Sequence, residues 1–154
     1  MKIIKRYDHP GKWEVVLPFA KTGEDKEWMG IIDARQPGEY EIIVTAEHLV
    51  PKTKGRITVR AVCGVDAHVK IKGIIRINKK AQETDDFLEL RVLMLGKTAR
   101  AIVEPELEIE ANNVKASHAA SVGQVDEEQV MYLMSRGLSR DRAQEQIVNG
   151  WLGV

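Results

Sequence analysis

A single cysteine, Cys63, stands in 154 residues. The chain can therefore close no internal disulfide, and alone it cannot supply the four thiolates of a protein-held iron-sulfur cluster. Net charge is missing too, because 23 basic residues offset 23 acidic ones; no whole-chain field draws in nucleic acid or an anionic membrane. No apolar run approaches the length of a bilayer span, and the opening Met1-Lys2-Ile3-Ile4-Lys5 is too short and too charged for a secretion signal. A Gly-rich loop ending in Lys-Ser or Lys-Thr is also lacking, so the phosphate cradle of a nucleotide site has no counterpart. These absences predict a cytoplasmic chain with no membrane insertion, no nucleic acid and no bound nucleotide. Its length suits one domain, or a domain with an appendage.

What is present upstream of residue 117 is alternation. Ile57, Val59 and Ala61 alternate with Arg56, Thr58 and Arg60; Val69 and Ile71 alternate with His68, Lys70 and Lys72; Leu107 and Ile109 alternate with Glu106, Glu108 and Glu110. A period of two marks strands with one buried face. Longer segments beginning near Arg56, Gly73, Leu90 and Leu107 recur at about seventeen residues, with shorter pieces such as Ala67 to Lys72 and Ala99 to Val103 between them. That recurrence suits a β-solenoid with two strands per rung, while an antiparallel sandwich gives a similar pattern. Periodicity alone leaves both open. The N-terminal part also reads as β, through Trp13 to Phe19, Glu27 to Asp33 and Tyr40 to Ala46, punctuated by His9-Pro10-Gly11, Lys21-Thr22-Gly23 and Gln36-Pro37-Gly38. It forms the first rungs or caps the end of the β part.

The last thirty residues change period. Asp126 is a good N-cap with Gln129 in capping-box spacing, and Val125 and Val130 fall at staple positions, which predicts a helix from Glu127. Gly137 fits a left-handed C′ position, Leu138 can fold back on Leu133, and Ser139 caps a second helix. Val130, Leu133 and Met134 form one apolar stripe; Ala143, Ile147, Val148 and Trp151 form the other. The division is thus 1–124, a β core with its N-terminal strands, and 125–154, a helical hairpin. Its stripes pack inward, or Met131, Tyr132, Met134 and Trp151 leave an adaptable patch for a protein partner.

Between β part and hairpin lies Val114 to Gly123, where Ala116, Ser117, Ala119, Ala120 and Ser121 leave His118 as the one bulky polar side chain in a small-residue loop. Small neighbours give an imidazole access to a metal, a proton or a partner, although a lone histidine is more often packed or solvated. Cys63, at the end of a strand, reads first as a small buried hydrophobe and second as a ligand. Glu83, Asp85, Asp86 and Glu89 read as a solvated turn without a calcium-loop pattern. Glu104, Glu106, Glu108 and Glu110 read as an exposed acidic stripe, and His48 as structural.

From Pro105 to Leu152, the run PELEIEANNVKASHAASVG followed by DEEQVMYLMSRGLS resembles the C-terminal signature of the SufB/SufD family, scaffold subunits of the SUF iron-sulfur cluster assembly machinery. The likeness continues upstream through His48-Leu49-Val50-Pro51-Lys52-Thr53, Gly73 to Ile77 and Ala81 to Asp85, about two-thirds of the chain. The first forty residues carry no such likeness. The resemblance implies a right-handed parallel β-helix core, and by family standards a short chain without the usual N-terminal helical region and further rungs.

It also implies roles. His118 matches the histidine shared by SufB-like and SufD-like subunits near the interface where a nascent cluster is built, which makes it the candidate ligand for iron or a transient cluster, with Cys63 a weaker one. The next residue, Ala119, stands where SufB-like chains tend to carry glutamate and SufD-like chains glycine. Leu90 stands where SufB-like chains place a sulfur-accepting cysteine, so this chain is closer to the SufD type. The helical hairpin is the family's docking element for the SUF ABC-type ATPase, with Met131, Met134, Arg136 and Leu138 at that surface. A paralogue, or a second copy as a homodimer, is the implied core partner, and the chain itself is a non-catalytic scaffold. Two other classes stand beside this one. A β-helix protein, either an interaction module or an enzyme acting on anionic polysaccharide through Asp85, Asp86 and Lys70, is one. A nucleic-acid-reading hairpin using Arg136, Arg140 and Arg142 is the other, opposed by Asp126, Glu127, Glu128, Asp141 and Glu145.

Overall fold

Residues 1–153 are described by a computed structural model. Nine strands precede two helices: β1 (Lys2–Tyr7), β2 (Gly11–Phe19), β3 (Asp25–Ala34), β4 (Gly38–His48), β5 (Lys54–Cys63), β6 (Ala67–Ile77), β7 (Asp85–Met94), β8 (Arg100–Ile109), β9 (Lys115–Gln124), α1 (Glu127–Ser135) and α2 (Arg140–Leu152). Odd strands form one five-stranded sheet, β1-β3-β5-β7-β9, and even strands the other, β2-β4-β6-β8. All ladders are parallel, and the strands wind into a β-solenoid of about four turns. The sandwich alternative is thereby excluded, because its neighbours would run antiparallel.

The pitch differs from the seventeen-residue reading. Trp28, Ile57 and Leu88 stack as register partners at offsets of 29 and 31 residues, so a rung is nearly twice as long, with a strand on each sheet. The recurrence had picked up half-turns. Its markers Gly73 and Leu90 lie inside β6 and β7, since apolar residues such as Ile74 also occupy the outer face and blur where a strand begins.

Stacked inward columns form the core. On the odd sheet, Trp28, Ile57 and Leu88 lie one above another, as do Ile32, Ala61 and Val92; on the even sheet, Ile42 stacks on Ile71 and Ala46 on Ile75. All of these are buried, and each large aliphatic side chain contributes about 1.5–3 kcal/mol of transfer free energy. The N-terminal strands are true rungs of this column, and β1, which alternation did not reveal, completes the first one with β2.

The hairpin follows its cap signals closely. The Asp126 carboxylate accepts from the Glu128 amide and the Ser139 hydroxyl from the Arg142 amide; the Asp126 bond reaches the second helical residue rather than Gln129. Gly137 is left-handed (φ 99°), the Leu138 N–H donates to Leu133 O, and the Gly137 N–H donates to Met134 O, the paired bonds of a Schellman turn. Val148 and Leu152 of α2 bury against Ile31, Val62 and Leu93 on the outer face of the odd sheet. The guanidinium of Arg91 lies 5.0 Å from the Trp151 ring centroid, and Arg60 Nη1 donates to Trp151 O at 3.3 Å.

Candidate functional site

The solenoid ends without a cover. Among the described residues, β8 in the last turn is hydrogen-bonded only to β6, and β9 only to β7, so both present an open strand edge. Their inward columns end in the open as well. Leu107 and Ile109 continue the buried Ile75 and Ile77, and Val122 continues the buried Val92; yet these three are 36%, 40% and 45% exposed. Large apolar side chains on an unpaired edge mark a surface for another chain.

His118 belongs to that end. The tract Val114 to Gly123, expected to be a loop, is mostly strand β9. His118 is the register partner of Leu88, with Ala116 over Asp86 and Ala120 over Leu90. Its imidazole thus continues an inward column, exposed because no further rung follows. Ser117, Ala119 and Ser121 alternate to the outer face, where Arg91 Nε reaches Ser121 Oγ at 3.4 Å. Ala119 is therefore out of phase with His118. The sulfur-acceptor position, Leu90, is fully buried one rung below.

Cys63 is not brought to this end. It lies in the core beneath Met94, fully buried, with its Sγ 3.2 Å from Ala67 O and 3.4 Å from Arg100 O. Burial pushes its thiol above the ordinary range, only partly opposed by backbone hydrogen bonding. Among the described residues no group of three or more His, Cys, Asp or Glu side chains is placed to hold a metal ion.

The four hairpin residues do fall on one stretch, α1 and its turn. Met131 and Met134 are exposed, together with Tyr132. Arg136 folds back so that its guanidinium lies 5.2 Å from the Tyr132 ring and donates to its hydroxyl at 3.2 Å. Leu138 is half-buried within the Schellman turn.

Two smaller readings change. Asp86 is not in a solvated turn: it is 2% exposed, and its Oδ2 lies 2.7 Å from Nε2 of His48. Buried on the inward phase, it cannot share an open cleft with Asp85 and with Lys70, which lies on the outer side of the other sheet. The network of His48, Asp86, Thr53 and Thr84 was missed, although the phase of β7 carried a signal, because Asp86 shares its parity with Leu88, Leu90 and Val92. The acidic stripe is exposed, but Glu106 is bridged to Lys72 at 3.1 Å and Glu108 to Arg76 at 2.7 Å. No described helix is long and apolar enough to cross a membrane.

A parallel two-sheet solenoid with an open last rung and a helical clasp is the class these features define. Residues 17–151 match the family described as SUF system FeS cluster assembly, SufBD core domain. The chain belongs to the SufB/SufD family, and the match takes in most of the N-terminal stretch that had shown no likeness. It is 42% identical over 76 residues to the iron-sulfur cluster assembly protein SufD of Escherichia coli, covering 49% of this chain and 18% of that one. A SufBD-family iron-sulfur cluster assembly protein of Mycobacterium leprae is 34% identical over 143 residues, 88% of this chain and 36% of the relative. SufB of Bacillus subtilis is 33% identical over 105 residues, 68% of this chain and 23% of the relative. The chain thus spans well under half the length of these relatives.

Proposed function

We propose that this chain is a non-catalytic cytoplasmic scaffold subunit of iron-sulfur cluster assembly. It pairs through the open β8–β9 end with a second scaffold chain, either a paralogue or a second copy, and docks an ABC-type ATPase through α1 and the following turn. The observation that carries this reading is the unfinished last rung: two open strand edges, exposed Leu107, Ile109 and Val122, and His118 at the same end.

In this reading iron or a nascent cluster is cargo rather than a resident group. An exposed imidazole at a shared interface is a ligand type that suits iron. His118 supplies one ligand, and the others come from the partner, since Leu90 offers no thiolate and Cys63 is sealed in the core. Met131, Met134, Arg136 and Leu138 form the ATPase contact, where flexible thioethers adapt to a groove. ATP hydrolysis belongs to the partner.

The test combines two measurements. Co-purification with the cognate ABC-type ATPase is expected for the intact chain and lost for Met134→Asp. Anaerobic reconstitution of the paired scaffold with iron and sulfide is expected to load wild type and to leave His118→Ala largely unloaded. No ATPase binding by the intact chain, together with equal, negligible iron uptake by both proteins, overturns the reading.

A further inference from the structure

At the corner where the chain crosses from the even sheet to the odd one, a chain of polar side chains is sealed in the core. His48, at the end of β4, is fully buried, its ring stacked on Phe19 with centroids 4.1 Å apart. Its Nδ1 lies 2.8 Å from Thr53 Oγ1 and its Nε2 lies 2.7 Å from Asp86 Oδ2. Thr53 Oγ1 lies 3.3 Å from Thr84 Oγ1, and the Thr84 hydroxyl donates to Ala81 O at 2.8 Å. Thr53, Thr84 and Asp86 are all buried, and among the described residues Asp86 Oδ1 has no hydrogen-bond partner.

The donors can be assigned from the far end. A carbonyl only accepts, so the single hydroxyl proton of Thr84 goes to Ala81 O. Thr84 Oγ1 can then enter its 3.3 Å contact with Thr53 only as the acceptor; with the Thr53 proton placed there, Thr53 Oγ1 accepts from His48. Nδ1 of His48 therefore carries a hydrogen. Nε2 and Oδ2 remain, 2.7 Å apart, with room for one proton between them. Both without it leaves a bare carboxylate facing a lone pair; a second proton leaves an uncompensated cation. Either state puts net charge in the core.

We propose that His48 and Asp86 share a single proton and act as a buried latch that fixes the corner from which β9 starts. The backbone there climbs rung by rung: the amides of Lys52, Asp85, Glu83 and Lys115 donate to Gln82, Thr53, Asn113 and Thr84 carbonyls. The latch ties β4 to β7 across this ladder. Gly55 makes the space for it, because a Cβ there would stand 2.5 Å from the Asp86 carboxylate. The charged groups around the latch are balanced by others. Lys26, 5.1 Å from the Phe19 centroid, is paired with Glu24. Lys54, Asp85 and Lys115 share one outward column; Glu47, Arg76 and Glu108 pair on the outer face beside His48 and Ile77.

A mutant cycle on the full chain tests the shared proton. His48→Gln strands a carboxylate in the core and is expected to lower Tm by on the order of 10 °C. Asp86→Asn keeps the site neutral, its amide donating to Nε2, and is expected to cost far less. Adding D86N to H48Q is expected to restore most of the loss, because it removes the stranded charge. In H48Q, exchange of the Lys52, Asp85 and Lys115 amides accelerates, while that of Gly64 and Leu95 at the opposite corner does not. Additive losses in the double variant overturn the proposal. Should H48Q fail to fold, nitrogen-15 NMR of wild type and D86N decides: a protonated Nδ1 on His48 is required in both, and an unprotonated Nδ1 in either one refutes the latch.

Discussion

Leu88 and His118 are register partners on β7 and β9, yet Leu88 is wholly enclosed and His118 faces solvent. Two residues with the same backbone phase differ only in whether another rung covers them. The contrast separates an enclosed position from an open one within one column.

The pair should respond unequally to truncation. Leu88→Ala opens a cavity in the core and is expected to cost about 2–5 kcal/mol. His118→Ala is expected to change stability by less than about 0.5 kcal/mol, the usual range for an exposed site. Urea denaturation of the isolated chain measures both, and comparable losses would show His118 to be packed rather than free.

The hairpin is expected to come away from the solenoid when its apolar seat is emptied. Leu152 is fully buried against Ile31, Val62 and Leu93, so Leu152→Ala is expected to cost about 2–5 kcal/mol. Limited proteolysis reads the local part of that loss as faster cleavage between residues 125 and 152. Unchanged cleavage there would place the anchor elsewhere, at Trp151 and its arginines.

Cys63 should be a silent thiol. Burial raises its pKa above the ordinary value, so the reactive thiolate is scarce near neutral pH and its access is blocked. A thiol reagent is expected to label the native chain only at the rate of unfolding. The sign of the linked stability is set by the raised value: the contribution is complete below the thiol pKa of the unfolded chain. It is lost as pH rises through the folded one. Rapid labelling of native protein would contradict this.

Much of the architecture was legible because it is written in short-range pattern. Asp126, Gly137 and Ser139 placed both helices, since caps depend on a few neighbouring residues. Alternation located most strands but not their pairing distance, because a rung closes over about thirty residues and the outer face also carries apolar side chains such as Ile74 and Ile43. The stretch around His118 reads as a loop in sequence for a related reason: Ala and Ser carry little strand preference, and it is register with β7 that makes them a strand. The buried His48–Asp86 contact joins positions 38 residues apart, beyond the reach of any local rule. Met131 was recognisable as surface because the helical stripe left it out, whereas Met134, which helical spacing puts in the stripe, is exposed as well.

The apolar seat of α2 is built from Ile31, Val62 and Leu93, one residue each from β3, β5 and β7. In a stacked array each repeat ordinarily feels only its neighbours, so its ends can fray independently. A helix laid across three successive repeats acts as a splint along the stacking axis. Unzipping past β9 must release that splint, which couples the rung beneath His118 to strands near the other end and makes the array melt more nearly as one cooperative body.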